Sequence, residues 1–159
     1  MSTEASVTAI NTELETLNLS DELSQKYLLF ISDGLDFGVK ASYIIEIITS
    51  YHITPLPLVP SYIKGIINLR GQIIPIIDIR SKMGKMECEA TNSTCIIVLD
   101  VNSIQVGIYV DTVSLVADID ESKISPPSPH NKQELVSGMV SLGNDKTLFL
   151  MDCEKLIEN

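Results

Sequence analysis

The sequence predicts an all-β fold built from two five-stranded, barrel-like subdomains. Three observations carry that expectation. Ten short runs are rich in β-branched and aromatic residues, turn-forming residues separate them, and the second half repeats the motifs of the first in the same order.

Residues 1–25 contain no Gly or Pro and place Val7, Ile10, Leu14 and Leu17 three, four and three residues apart. That spacing suits one short amphipathic helix, and the alternative is an acidic tail. From Tyr27 the period changes. Tyr27–Ser32 and Leu35–Lys40 flank Asp33-Gly34, a preferred two-residue hairpin turn. Further strands are expected at Ile44–Thr49, Gly65–Leu69, Gln72–Ile77, Cys95–Asp100, Ile104–Val110, Val113–Ile119, Val136–Leu142 and Thr147–Met151. Helix is expected only as a turn at Ala41–Tyr43, another at Ser61–Lys64, and a C-terminal stretch Cys153–Glu158 behind Asp152 as N-cap. The polar stretch Lys85–Ser93 marks a boundary.

The two sides of that boundary match. Phe37-Gly38-Val39 returns as Val106-Gly107-Ile108, Gly65–Leu69 as Gly138–Leu142, and the strand ending at Asp78 as the one ending at Asp152. The Pro-rich segments Ile53–Pro57 and Ile124–Ser128 also correspond. The offset grows from 69 (107 − 38) through 73 (138 − 65) to 74 (152 − 78), as when loops lengthen and strands keep register. A single domain over 26–158 is expected, with subdomain 1 at about 26–85 and subdomain 2 at about 94–158.

Charge narrows the function. A net charge of −10, from 21 acidic against 11 basic residues, opposes binding to nucleic acid or anionic lipid. Aromatics are 5% and Trp is absent, so an oligonucleotide- or oligosaccharide-binding barrel lacks its stacking platform. The first 25 residues hold five acids and no base, whereas Lys64, Arg70, Arg80, Lys82 and Lys85 cluster around Asp78 alone, as a binding patch or as ordinary solvated surface. No stretch is apolar enough to span a bilayer and no basic-then-apolar leader opens the chain, so a cytoplasmic location is expected. Cys88, Cys95 and Cys153 lack motif spacing and fit packing roles; His52 and His130 stand apart from other metal-ligating residues. Without a phosphate loop, dinucleotide fingerprint or nucleophile elbow, no catalytic, cofactor-binding or metal residue is assigned, and an enzyme is not expected.

Three features point to binding. Arg70-Gly71 forms the turn after Gly65–Leu69; if Ile67 and Leu69 face inward, Arg70 faces solvent, as a charged anchor or a solubilising turn residue. Glu46 is the only charge in Ile44-Ile45-Glu46-Ile47-Ile48, where either both faces are packed or Ile44 and Ile48 form an apolar patch beside Glu46. Pro75, which cannot donate to a ladder, marks an exposed edge strand.

Tyr62–Gly71 and Ile74–Arg80 closely resemble the central motif of the CheW family of bacterial chemotaxis coupling proteins. Phe37–Ile47, Val106–Asp111 and Phe149–Asp152 are similar to its remaining motifs, in order, across about residues 26–158. The resemblance implies two five-stranded SH3-like β-barrels without catalytic activity or cofactor. It also implies a scaffold that joins methyl-accepting chemoreceptor tips to the regulatory domain of the histidine kinase CheA at membrane-associated arrays, or an adaptor of the same type for another kinase array. By motif position it assigns Ile44, Glu46, Gly65, Asn68, Arg70 and Gly71 to receptor coupling. Residues 1–25 match none of its motifs, and a fused adaptor carrying an appended receiver domain is not expected.

Overall fold

The computed structural model describes residues 3–18, 26–84, 90–127 and 135–158. Lys85, Cys88, His130 and most of the expected boundary at 85–93 lie outside the described residues. Helix α1 (Thr3–Asn18) comes first, followed by β1 (Lys26–Ser32), β2 (Leu35–Lys40), β3 (Ile44–Ile48), β4 (Ile63–Leu69), β5 (Gln72–Asp78) and α2 (Ile79–Lys82). Then come β6 (Cys95–Val101), β7 (Ile104–Val110), β8 (Thr112–Asp118), β9 (Val136–Gly143), β10 (Lys146–Met151) and α3 (Cys153–Leu156). All ten expected strands are present. The expected helical turn at Ser61–Lys64 is instead a β-turn closed by the Ile63 N–H on the Pro60 carbonyl at 3.0 Å, and β4 starts inside it.

Four hairpins share one device. The central pairs Asp33-Gly34, Arg70-Gly71, Asn102-Ser103 and Asn144-Asp145 all have positive φ at both residues, the type I′ geometry that matches the right-handed twist of the strands it joins.

The strands form two five-stranded sheets, ordered β8-β1-β2-β10-β9 and β3-β6-β7-β5-β4. The internal repeat is therefore real, but its halves are not the two sheets. The first hairpin of each half crosses to the other half's sheet, where β2 lies parallel to β10 and β7 parallel to β5. One sheet takes its strands from residues 44–110, and the other combines 26–40 with 112–151. A division at 85–94 describes neither, because the same hydrophobic alternation serves a hairpin in whichever sheet it joins.

Irregularities repeat too. Ile45 is the extra residue of a bulge between the pairs Ile44↔Leu99 and Glu46↔Val98; Ser114 holds that place between Val113↔Phe30 and Leu115↔Leu29. Lys64 and Ser137 are bulged likewise on β4 and β9. Asp78 caps α2 by accepting from the Arg80 and Ser81 amides, and Asp152 caps α3 from the Lys155 amide.

Pro75 sits on an inner strand rather than an edge, since β5 lies between β7 and β4. Its partner Ile66 gives both backbone groups to Thr54, on the side away from β5. Ile66↔Pro75 is thus a non-hydrogen-bonded pair, and Pro75 turns its nitrogen toward β7, whose ladder begins only at Ile76.

The largest buried cluster lies between the sheets and joins Leu28, Phe30 and Phe37 to Ile97, Ile108 and Val110. The outer faces close over smaller clusters, around Ile74, Ile76, Ile96 and Tyr109 in one sheet and Tyr27, Val140, Leu148 and Leu150 in the other. Strand β6 is buried on both faces, hence its unbroken Cys95–Leu99 apolar run. Val7, Ile10 and Leu14 of α1 enter the large cluster, and this helix packs on β3 and β8.

Candidate functional site

The β4–β5 hairpin presents the site. Ile67 is buried while Asn68 and Arg70 are exposed, the alternation that places Arg70 on the outside. The Asn68 side-chain oxygen accepts the Gly71 amide at 2.9 Å and braces the turn. Gly71 has φ +86°, with open space where a Cβ would stand.

Glu46 reaches Arg70 from β3, and the carboxylate and guanidinium form a hydrogen-bonded ion pair. That hydrogen bond, and then the carboxylate charge, raise the Arg70 pKa, so the guanidinium stays charged. β3 and β4 are the two outer strands of their sheet, and the pair spans between them. Arg70's side chain is 71% exposed and Glu46's 21%, so the arginine is the half offered to a partner.

Beside the pair is a cavity of about 200 Å³, lined by Ile48, Tyr51, His52, Thr54, Ile67 and Leu69. Burial and a hydrogen bond to Tyr109 push the Tyr51 hydroxyl up to about 12, leaving it a neutral group at physiological pH.

The six residues singled out above divide into two kinds. Glu46, Asn68, Arg70 and Gly71 come together at the hairpin tip. Ile44 is 5% exposed, inside the large cluster, and Ile48 is half-buried; Ile45, at 40%, is the exposed member of the strand. The expectation of an Ile44 and Ile48 patch fails because the bulge at Ile45 inverts the alternation. Gly65 is a close-packing position, with φ +149° and the Thr54 oxygen 2.3 Å from where a Cβ would lie. Ile73, paired with Asn68 and 59% exposed, adds an apolar neighbour that its isoleucine-rich run disguises.

Of the bases clustered in sequence, the four described ones take different partners. Lys64 lies 4.6 Å from the Tyr109 ring centre and Lys82 lies 3.9 Å from that of Tyr62. Arg80 bonds Asp111 and stands 3.6 Å from Asp33, whose amide donates to Asp111 at 3.0 Å. This cluster ties α2 to the β1–β2 turn and the β7–β8 corner. Sequence reasoning missed it because its members are far apart along the chain.

Among the described residues no group of three or more His, Cys, Asp or Glu side chains could hold a metal ion. Cys95 and Cys153 are buried, and desolvation pushes both thiols up to about 12, which makes them packing groups rather than nucleophiles. No described helix is long and apolar enough to cross a membrane.

The family model of the CheW-like domain matches residues 26–159. Chemotaxis protein CheW of Klebsiella aerogenes is 32% identical over 142 residues, covering 87% of this chain and 85% of its own length. Chemotaxis protein CheW of Bacillus subtilis is 34% identical over 114 residues, covering 71% and 73%. The crystal structure of the scaffolding protein TtCheW from Thermoanaerobacter tengcongensis superposes with a TM-score of 0.75 at 31% identity, over 80% of this chain and 88% of that one. A family match across the whole two-sheet region, together with these relatives and this solved structure, leads to one conclusion: the chain belongs to the CheW family of non-enzymatic chemotaxis scaffold proteins.

Proposed function

We propose that this scaffold joins chemoreceptor cytoplasmic tips to the regulatory domain of a CheA-type histidine kinase, with Glu46 and Arg70 as the receptor contact. The observation that carries the reading is the ion pair at the β4–β5 hairpin tip, with Arg70 exposed and the exposed Ile73 on the same hairpin. Arg70 exchanges its intramolecular carboxylate for a receptor carboxylate, and Glu46 becomes available to a receptor cation. Ile73 and Ile45 add apolar area around the charges. Gly65, Gly71 and Asn68 act by shaping the hairpin, and Ile44 by seating β3. Recruitment to membrane-associated arrays follows from receptor binding.

Coupling requires that receptor and kinase binding be linked, so that each changes the affinity for the other. Individually weak contacts suffice when repeated across an array. The test is titration of wild type and Arg70→Glu with a receptor cytoplasmic fragment and, separately, with the kinase regulatory domain. Receptor affinity is expected to fall roughly tenfold or more while kinase affinity stays within about twofold. Equal receptor affinity for the two proteins would remove Arg70 from the contact, and a wild type that binds neither partner would end the coupling reading.

A further inference from the structure

A sheet with open edges needs its outer strands guarded against pairing with another chain. The four outer strands are β3, β4, β8 and β9. On β4, Ile66 exchanges two hydrogen bonds with Thr54, at 2.8 and 2.9 Å. On β9, Met139 does the same with Ser125, at 2.8 and 2.8 Å. These two guards are equivalent backbone segments of the internal repeat.

On β3 the two bonds come from a side chain. Asn11 of α1 donates from Nδ2 to the Ile47 carbonyl and accepts the Ile47 amide on Oδ1, both at 2.9 Å. The side-chain amide stands in for a peptide group of a neighbouring strand. It is held there by Val7, Ile10 and Leu14, all buried, on a helix that also packs on β8. Unlike Thr54 and Ser125, Asn11 lies outside residues 26–159, the part matched by the family domain.

We propose that the outer edge of β3 is a strand-pairing surface for a second copy of this chain, and that α1 keeps it closed. Ile44–Ile48 has four isoleucines, no Gly, Pro or Lys, and one charge that is already paired with Arg70. An antiparallel pairing centred on Ile47 sets Glu46 opposite Ile48 of the other copy rather than opposite a second Glu46, so the strand complements itself. The segment that bears the guard also repels another copy: residues 1–25 hold five acids and no base, and Glu13 and Glu15 are exposed. Releasing α1 uncovers the edge and withdraws this charge from it.

The experiment compares the wild-type chain with Val7→Ser/Asn11→Ala/Leu14→Ser by sedimentation velocity over a hundredfold concentration range, with Ile47 amide exchange reporting helix release. The variant should exchange this amide at least tenfold faster and form a dimer at concentrations where wild type does not. Adding Ile45→Lys, a charge on the exposed edge, should return it to monomer. A released helix with no dimer, or a dimer indifferent to Ile45→Lys, overturns the proposal. Should the triple variant fail to fold, Asn11→Ala alone, with its three apolar anchors intact, carries the test. It should show faster Ile47 exchange and a dimer at the highest concentrations, and unchanged exchange with no dimer overturns the proposal.

Discussion

The β4–β5 and β9–β10 hairpins are the same construction with different contents. Both turn through two residues of positive φ, both carry a bulge near the start, and both press a glycine against a guarding segment. Yet Arg70 at the first tip corresponds to Asn144 at the second, and Glu46, one residue past its bulge, corresponds to Leu115, one residue past the matching bulge. The second half thus has no counterpart of the ion pair, and Leu115 is a half-exposed leucine. Positions that the halves share, such as Gly65 with Gly138 and Asp78 with Asp152, maintain the backbone. Positions where they part are free of that duty, which is where a partner-specific contact can reside.

The comparison breaks most visibly at the glycines. Gly65→Ala forces a Cβ onto a backbone oxygen at unfavourable φ and should cost about 3 kcal/mol in urea unfolding. Gly138→Ala meets the Ile124 methyl at 2.7 Å and the Ser125 oxygen at 3.2 Å without the φ penalty, and should cost about 1 kcal/mol. Equal losses would mean that the two guards are equally rigid. The caps come next. Asp78 is 1% exposed and serves two amides, so Asp78→Ala should lose about 2 kcal/mol, against about 1 kcal/mol for Asp152→Ala, measured by the same unfolding curves. The smallest effect is expected from transplanting the pair. Leu115→Glu/Asn144→Arg should leave the thermal midpoint within a few degrees and add no receptor affinity; a gain in binding would show that any such pair on this frame suffices.

Much of this architecture was legible beforehand. Asp33-Gly34 announces its hairpin and Asp152 its cap, whereas the Val7, Ile10 and Leu14 stripe fits a short helix and leaves an acidic tail open as the alternative. The exchange of hairpins between sheets was not, because Phe37-Gly38-Val39 has one pattern whether β2 lies beside β10 or beside β5. Ile44–Ile48 hides its bulge, since a run without polar alternation cannot show where alternation slips. At the site, the outward direction of Arg70 follows from the inward Ile67, but its bond to Glu46 joins residues 24 apart in sequence and emerges only when β3 and β4 flank one sheet. Pro75 obeyed the physical rule and still misled, because a non-hydrogen-bonded pair on an inner strand spares the ladder as an edge does.

Nesting one sheet inside the other sets an order of events during synthesis. Every strand of the β3–β7 sheet has left the ribosome once residue 110 has emerged, whereas the β1–β2 hairpin, made earlier, must wait for partners that end at residue 151. At roughly 5–20 residues per second that wait lasts on the order of seconds. From residue 110 onward, Leu28, Phe30, Phe37 and Val39 have α1 and the complete set of β3–β7 strands available to cover them while β10 is still missing. The sheet whose strands are all available first is thereby the surface on which the oldest hairpin can be held until the youngest strands arrive.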